Sequence, residues 1–144
     1  MTLERIFGLC SLLALAGWIA LLAAPLARVP LIRTARLVST TLALAYVVQM
    51  FTITQPVPDG SFSTLAGVSA LFSMPGNVML GWTHFLALDL FTGAWEVEDA
   101  GKIGLPHWVV LAPLGLTFLF GPIGLLTYGA IRTAHLLRTT GRMY

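Results

Sequence analysis

Residues 78–95 read Val78-Met-Leu-Gly-Trp-Thr-His-Phe-Leu-Ala-Leu-Asp-Leu-Phe-Thr-Gly-Ala-Trp95, an apolar run whose ionisable side chains are His84 and Asp89. Its length approaches the ~20 apolar residues that a membrane-crossing helix needs. Three runs of the same kind flank it, at about 6–24, 37–53 and 108–131. Charged side chains at bilayer depth are costly and mark candidate functional sites. The run therefore points both to a membrane helix and to the two side chains on it that need an explanation.

Composition agrees with this reading. The chain has 144 residues, 57% of them hydrophobic and 10% charged, with a mean hydropathy of +0.86. A soluble domain carries about 25% charged residues, enough to cover itself with polar surface. This chain cannot, which excludes an ordinary cytosolic enzyme, a nucleic-acid-binding domain and a disordered tail. Eight Lys and Arg against six Asp and Glu give a net charge of +2 with no basic run, so nucleic acid is not an expected partner. Cys10 stands alone, which excludes an internal disulfide and a cysteine-based zinc site. The expected fold is all-α: an integral-membrane four-helix transmembrane bundle, residues 1–144 forming one domain.

The connections carry further signals. Pro25 and Pro30 interrupt the apolar pattern, and Arg28, Arg33 and Arg36 gather beside them. Between the second and third runs, Leu65, Val68 and Phe72 fall at helical spacing, as in a short helix lying at the interface. Asn77 offers an N-cap to the third helix. The first run is longer than the ~7–15 residues of a signal-peptide core, and Glu4 dilutes its basic start. It reads as a retained membrane helix. No Arg- and Ser-rich transit segment precedes it, as in a bacterial chain or a mature organellar one. The bacterial cytoplasmic membrane, inner or photosynthetic, is the expected location. With four spans, Arg5, Arg132, Arg138 and Arg142 face Arg28, Arg33, Arg36 and Lys102 across the bilayer, so the positive-inside rule gives no orientation.

His84 and Asp89 lie five residues apart, roughly 140° around a helix and ~7.5 Å along it. They do not form a side-by-side pair on one stripe. Asp99 and His107 come in the following loop, where they are expected to converge with Asp89; Pro106 suits the first turn of the fourth helix. Glu96, Glu98 and Lys102 read as a solvated turn. Tyr46 and Gln49 share one face of the second helix, where they line a pocket or bond between helices. Phe120-Gly-Pro-Ile-Gly124 kinks the fourth helix through Pro122. The His and Asp residues are suitable metal-ligand types without the tight spacing of a metal motif, and a metal on them stays open.

Trp82-x-His84-x4-Asp89-Leu-Phe91, followed by Asp99, His107 and Phe120-x-Pro122-x-Gly124, resembles the family of abscisic-acid-deficient-four membrane proteins. The likeness covers the second half of the chain and includes the Gly60-Ser-Phe-Ser-x-Leu-Ala-Gly67 loop. Its plant members are described as neoxanthin synthases, which isomerise the epoxide violaxanthin to an allene. The resemblance implies an acid/base isomerase on a carotenoid or related isoprenoid, with no redox cofactor. Asp89 would be the acid and His84 or His107 the base, with Asp99 orienting His107. Trp82 and Phe85 would hold the polyene, alongside Tyr46 and Gln49. A bound carotenoid or lipid would then be the ligand. The competing expectation is a non-catalytic subunit that binds carotenoid or packs within a larger membrane complex, such as a photosynthetic one, or within a homo-oligomer.

Overall fold

A computed structural model describes residues 2–140; Arg142 lies outside them. Six helices follow one another: α1 (Leu3–Leu22), α2 (Arg28–Thr52), α3 (Leu65–Leu71), α4 (Pro75–Lys102), α5 (His107–Phe120) and α6 (Pro122–Thr140). Among the described residues there is no strand. The all-α expectation holds. Of the helices, α1 and α2 are long and apolar enough to cross a membrane; α4 is longer, but His84, Asp89 and the carboxylates near its end dilute it.

Small residues set the packing of the three long helices. A side-chain carbon at Gly93 would stand 2.7 Å from the Trp18 ring, and one at Gly17 would meet Leu90 at 2.5 Å. These glycines let α1 lie closely along α4, in the same direction. Helix α2 runs opposite to both, so that Ser39 donates to the Ala87 carbonyl at 2.9 Å and Thr83 donates to Gln49 at 2.9 Å. Leu21, Leu42, Leu90, Val97 and Val110 are fully buried between the helices. Helix α3 forms where the sequence places it, capped by the Thr64 hydroxyl on the Gly67 amide. Asn77 does not cap α4, which starts at Pro75 after Met74. Its side chain instead bonds Gln55 and the Leu71 carbonyl, fixing the loop to the helix.

The expected fourth span is not one helix. Gly121 takes φ +41°, and the chain reverses there. The backbone of Gly124 packs on Thr117, leaving no room for a side-chain carbon. Helix α6 then returns alongside α5, so that Tyr128 and Arg132 reach Asp99, and His135 bonds the Ile103 carbonyl at 3.0 Å. The Pro122 segment is thus a hairpin turn rather than a kink. Helix α5 has 14 residues and spans about 21 Å, short of the ~30 Å hydrocarbon core. The hairpin brings Arg132 to the end of the bundle that carries Arg28, Arg33, Arg36 and Lys102, with Arg138 beyond His135. Arg5 begins α1 at the other end. The even charge count therefore fails, because the expected topology put Arg132 and Arg138 on the side of Arg5.

Candidate functional site

The turn of the α5–α6 hairpin closes one wall of a groove of about 470 Å³. Trp82, His84, Phe85 and Asp89 of α4 line it, with Trp18 from α1 and Phe118 to Pro122 from the hairpin. Asp89 is half-buried at the tip, where a side-chain carbon on Gly121 would stand 2.7 Å from its Oδ1. His84 is exposed and lines the same groove. Its ring lies 5.8 Å from that of Tyr46 and 6.0 Å from that of Phe85. The angular separation expected around α4 does not part the pair, since the groove wraps the helix and the hairpin supplies its far wall.

A second groove, of about 510 Å³, continues on the other side of His84 and Phe85. Tyr46, Phe62, Phe72 and Asn77 line it. His84 and Phe85 border both grooves, and together they form one apolar track with an imidazole near its middle and a carboxyl at one end. Trp82 is fixed in place: its indole N–H donates to Ser11 at 3.2 Å, and it stacks on Phe7 with ring centroids 5.6 Å apart. Phe85 is free to meet a ligand, being 59% exposed.

Other expected site residues lie elsewhere. Gln49 is buried, accepting from Thr83 and donating to Cys10 Sγ at 3.6 Å, so it joins α1, α2 and α4 and lines neither groove. Asp99 does not orient His107. Its Oδ2 accepts from the Tyr128 hydroxyl at 2.7 Å and from Arg132 Nε at 2.7 Å. Burial raises the pKa of Asp99, but these two donors outweigh it and hold the carboxyl below its ordinary 3.8. His107 begins α5, about 21 Å along the helix from the tip at Gly121. Both of its ring nitrogens are buried without a hydrogen bond in normal geometry. Asp89, Asp99 and His107 thus do not converge. Among the described residues, no three His, Cys, Asp or Glu side chains gather as a metal-ligand set.

The sequence reading missed Glu96. Helix α4 continues through it to Lys102, so it does not lie in a solvated turn: it is fully buried, accepting from Thr117 at 2.8 Å. Its seven-residue spacing from Asp89 places it on the same stripe of α4, facing the hairpin. Glu98 remains at the surface, bonded to Lys102 at 2.7 Å and paired with Arg36. Its pKa is lowered, by the Lys102 hydrogen bond first; burial opposes the shift, and the charges of Arg36 and Lys102 add to it.

The family model described as ABA4-like, ABA DEFICIENT 4-like, matches residues 5–128. The chain belongs to that family. No curated protein and no solved structure matches it. The match takes in the whole of α1 to α5, apart from the first turn, and ends within α6 at Tyr128. Both grooves and the hairpin tip of this ABA DEFICIENT 4-like chain therefore lie inside the matched region.

Proposed function

We propose that the chain is an integral-membrane protein that binds a carotenoid or related isoprenoid along the α4 track and isomerises it by acid/base chemistry. One observation carries the proposal: a carboxyl and an imidazole, Asp89 and His84, border one aromatic-lined groove at the hairpin tip. The family's link to carotenoid-related function supports the substrate class. Exposed apolar side chains, including Phe62, Leu65 and Phe51, support a lipid surrounding. In this reading α1, α2 and the stretch 75–95 of α4 cross the bilayer. The α5–α6 hairpin enters from one side and returns to it, with Gly121 buried at the turn and its N–H bonded to the Thr117 carbonyl, as irregular backbone at membrane depth must be.

The two groups divide the work. Asp89, protonated, gives its proton to an epoxide oxygen as one ring C–O bond breaks. His84 removes a proton from the adjacent polyene carbon, and the electron pair of that C–H bond becomes the new double bond of the allene. One proton enters and one leaves, so the mass is unchanged and no redox cofactor takes part. Trp82, Phe85, Trp18 and Phe118 offer ring faces and edges to the polyene. The track is open along its length, which also suits a subunit that binds a carotenoid without converting it.

Expression in bacterial hosts that make defined carotenoids, including a 5,6-epoxide, tests the proposal. Chromatography with mass spectrometry should find a new isomer of unchanged mass, absent with Asp89→Asn. Pigment that co-purifies unchanged would favour the binding subunit. Unaltered pigment profiles with none retained would overturn both readings.

A further inference from the structure

A recess of about 430 Å³ lies between the start of α2 and the end of α4, lined by Arg28, Arg33, Arg36, Lys102, Glu98 and Gly101. Four cations thus share one carboxylate. Glu98 is occupied by Arg36 and Lys102, and Asp99 nearby is held by Tyr128 and Arg132. Arg28 and Arg33 have no ion-pair partner among the described residues. The Arg28 guanidinium lies directly over Gly101, where a side-chain carbon would stand 2.1 Å from Nη1, so a larger residue there would push the guanidinium from its place. Two guanidiniums without acidic partners match the oxygens of a phosphate, which they grip by paired N–H donors. The recess also has an apolar side, formed by Val29 and Ile32, and Leu26, two residues before Arg28 in the chain, is 86% exposed.

We infer that this recess binds the phosphate headgroup of an anionic membrane lipid. The basic rim takes the phosphate while Val29, Ile32 and Leu26 face the upper acyl chain, a combination that free phosphate would not use. The hairpin adds Arg132 to the same end, and Arg138 follows it, against Arg5 at the opposite one. That asymmetry places the recess in the leaflet toward which positive charge is retained. The inference rests on the membrane embedding proposed above and not on turnover.

Native mass spectrometry of the full chain, released from nanodiscs containing equal dioleoyl-phosphatidylglycerol and dioleoyl-phosphatidylcholine, provides the test. The glycerol lipid should be retained about fivefold or more over the choline lipid, a preference that Arg28→Gln with Arg33→Gln brings close to parity. Arg28→Lys with Arg33→Lys should keep part of it, which separates lost charge from lost folding, and Arg5→Gln should keep all of it. Equal retention of the two lipids, or a preference that survives the double glutamine variant, overturns the inference. Displacement by millimolar inorganic phosphate would assign the recess to free phosphate and overturn the lipid assignment. Extraction by alkaline carbonate would defeat the membrane reading together with this one. A chain that stays embedded yet shows no preference defeats this one alone.

Discussion

The carboxyl of Asp89 rests against the backbone of Gly121, the residue at which the α5–α6 hairpin turns. A side-chain carbon there would come within 2.7 Å of Asp89 Oδ1, and the backbone sits at φ +41°, in the left-handed region. The turn and the candidate acid therefore share one constraint. Gly121→Ala should lower stability by about 1–2 kcal/mol from backbone strain and displace Asp89 as well. Thermal unfolding in detergent reads the first effect. Pigment conversion or retention, normalised to folded protein, reads the second and should fall further than stability alone explains.

Glu96 joins α4 to the hairpin through a single hydrogen bond from Thr117, with its other oxygen unpartnered in a fully buried site. Glu96→Gln keeps an acceptor for Thr117 and nearly the same volume, so it should change stability by less than about 1 kcal/mol. Glu96→Ala leaves a cavity and a buried hydroxyl without its partner, and should cost about 2–4 kcal/mol. The gap between the two variants in chemical denaturation measures the packing role. Equal losses would show that the carboxylate charge itself stabilises the fold.

Asp99 ties α6 to α4 as a carboxylate, with its pKa below the ordinary 3.8 because Tyr128 and Arg132 donate to it. The folded chain holds this proton less tightly than the unfolded one. The stabilisation is therefore complete above the carboxylate range and disappears as pH falls through the depressed pKa. The Asp99 contribution, read as the difference in unfolding midpoint between the parent chain and Asp99→Asn, should stay level from pH 8 to about pH 5 and decline below about pH 4. Partial exposure of the pair limits the effect to about 1 kcal/mol after solvent screening. Asp99→Asn should reduce stability near neutrality and flatten the acid limb.

Hydropathy made the helical class legible, and the spacing of Leu65, Val68 and Phe72 made α3 legible, because both follow from local periodicity. His84, Asp89, Trp82 and Phe85, which line one groove, were legible as a candidate site because polar groups within an apolar run need an account. The hairpin was not. Gly121 and Pro122 fit a kinked span as well as a reversal, and the choice depends on long-range pairing of Tyr128 and Arg132 with Asp99. That same pairing removed Asp99 from His107. Gln49 was placed on the right helix and given the wrong task, since the sequence does not show that Thr83 and Cys10 stand across from it. Glu96 was misassigned because Trp95-Glu-Val-Glu-Asp99 looks like a polar turn, whereas α4 runs through it and buries one face.

The hairpin makes a prediction that a four-span bundle reverses. A single fourth span would put the end of the chain on the same side as the loop containing Asp59. With α5 and α6 folded back at Gly121, Thr139 instead lies at the end carrying Lys102, opposite Asp59. In a Cys10→Ala background, Asp59→Cys and Thr139→Cys should be labelled by a membrane-impermeant maleimide from opposite faces of intact vesicles. The excess of Arg and Lys at the Thr139 end predicts that this position is the one protected in intact cells and labelled only after permeabilisation. Labelling of both positions from the same face would restore the continuous fourth helix. It would also detach Tyr128 and Arg132 from Asp99, remove Gly121 from Asp89, and leave the groove without its far wall.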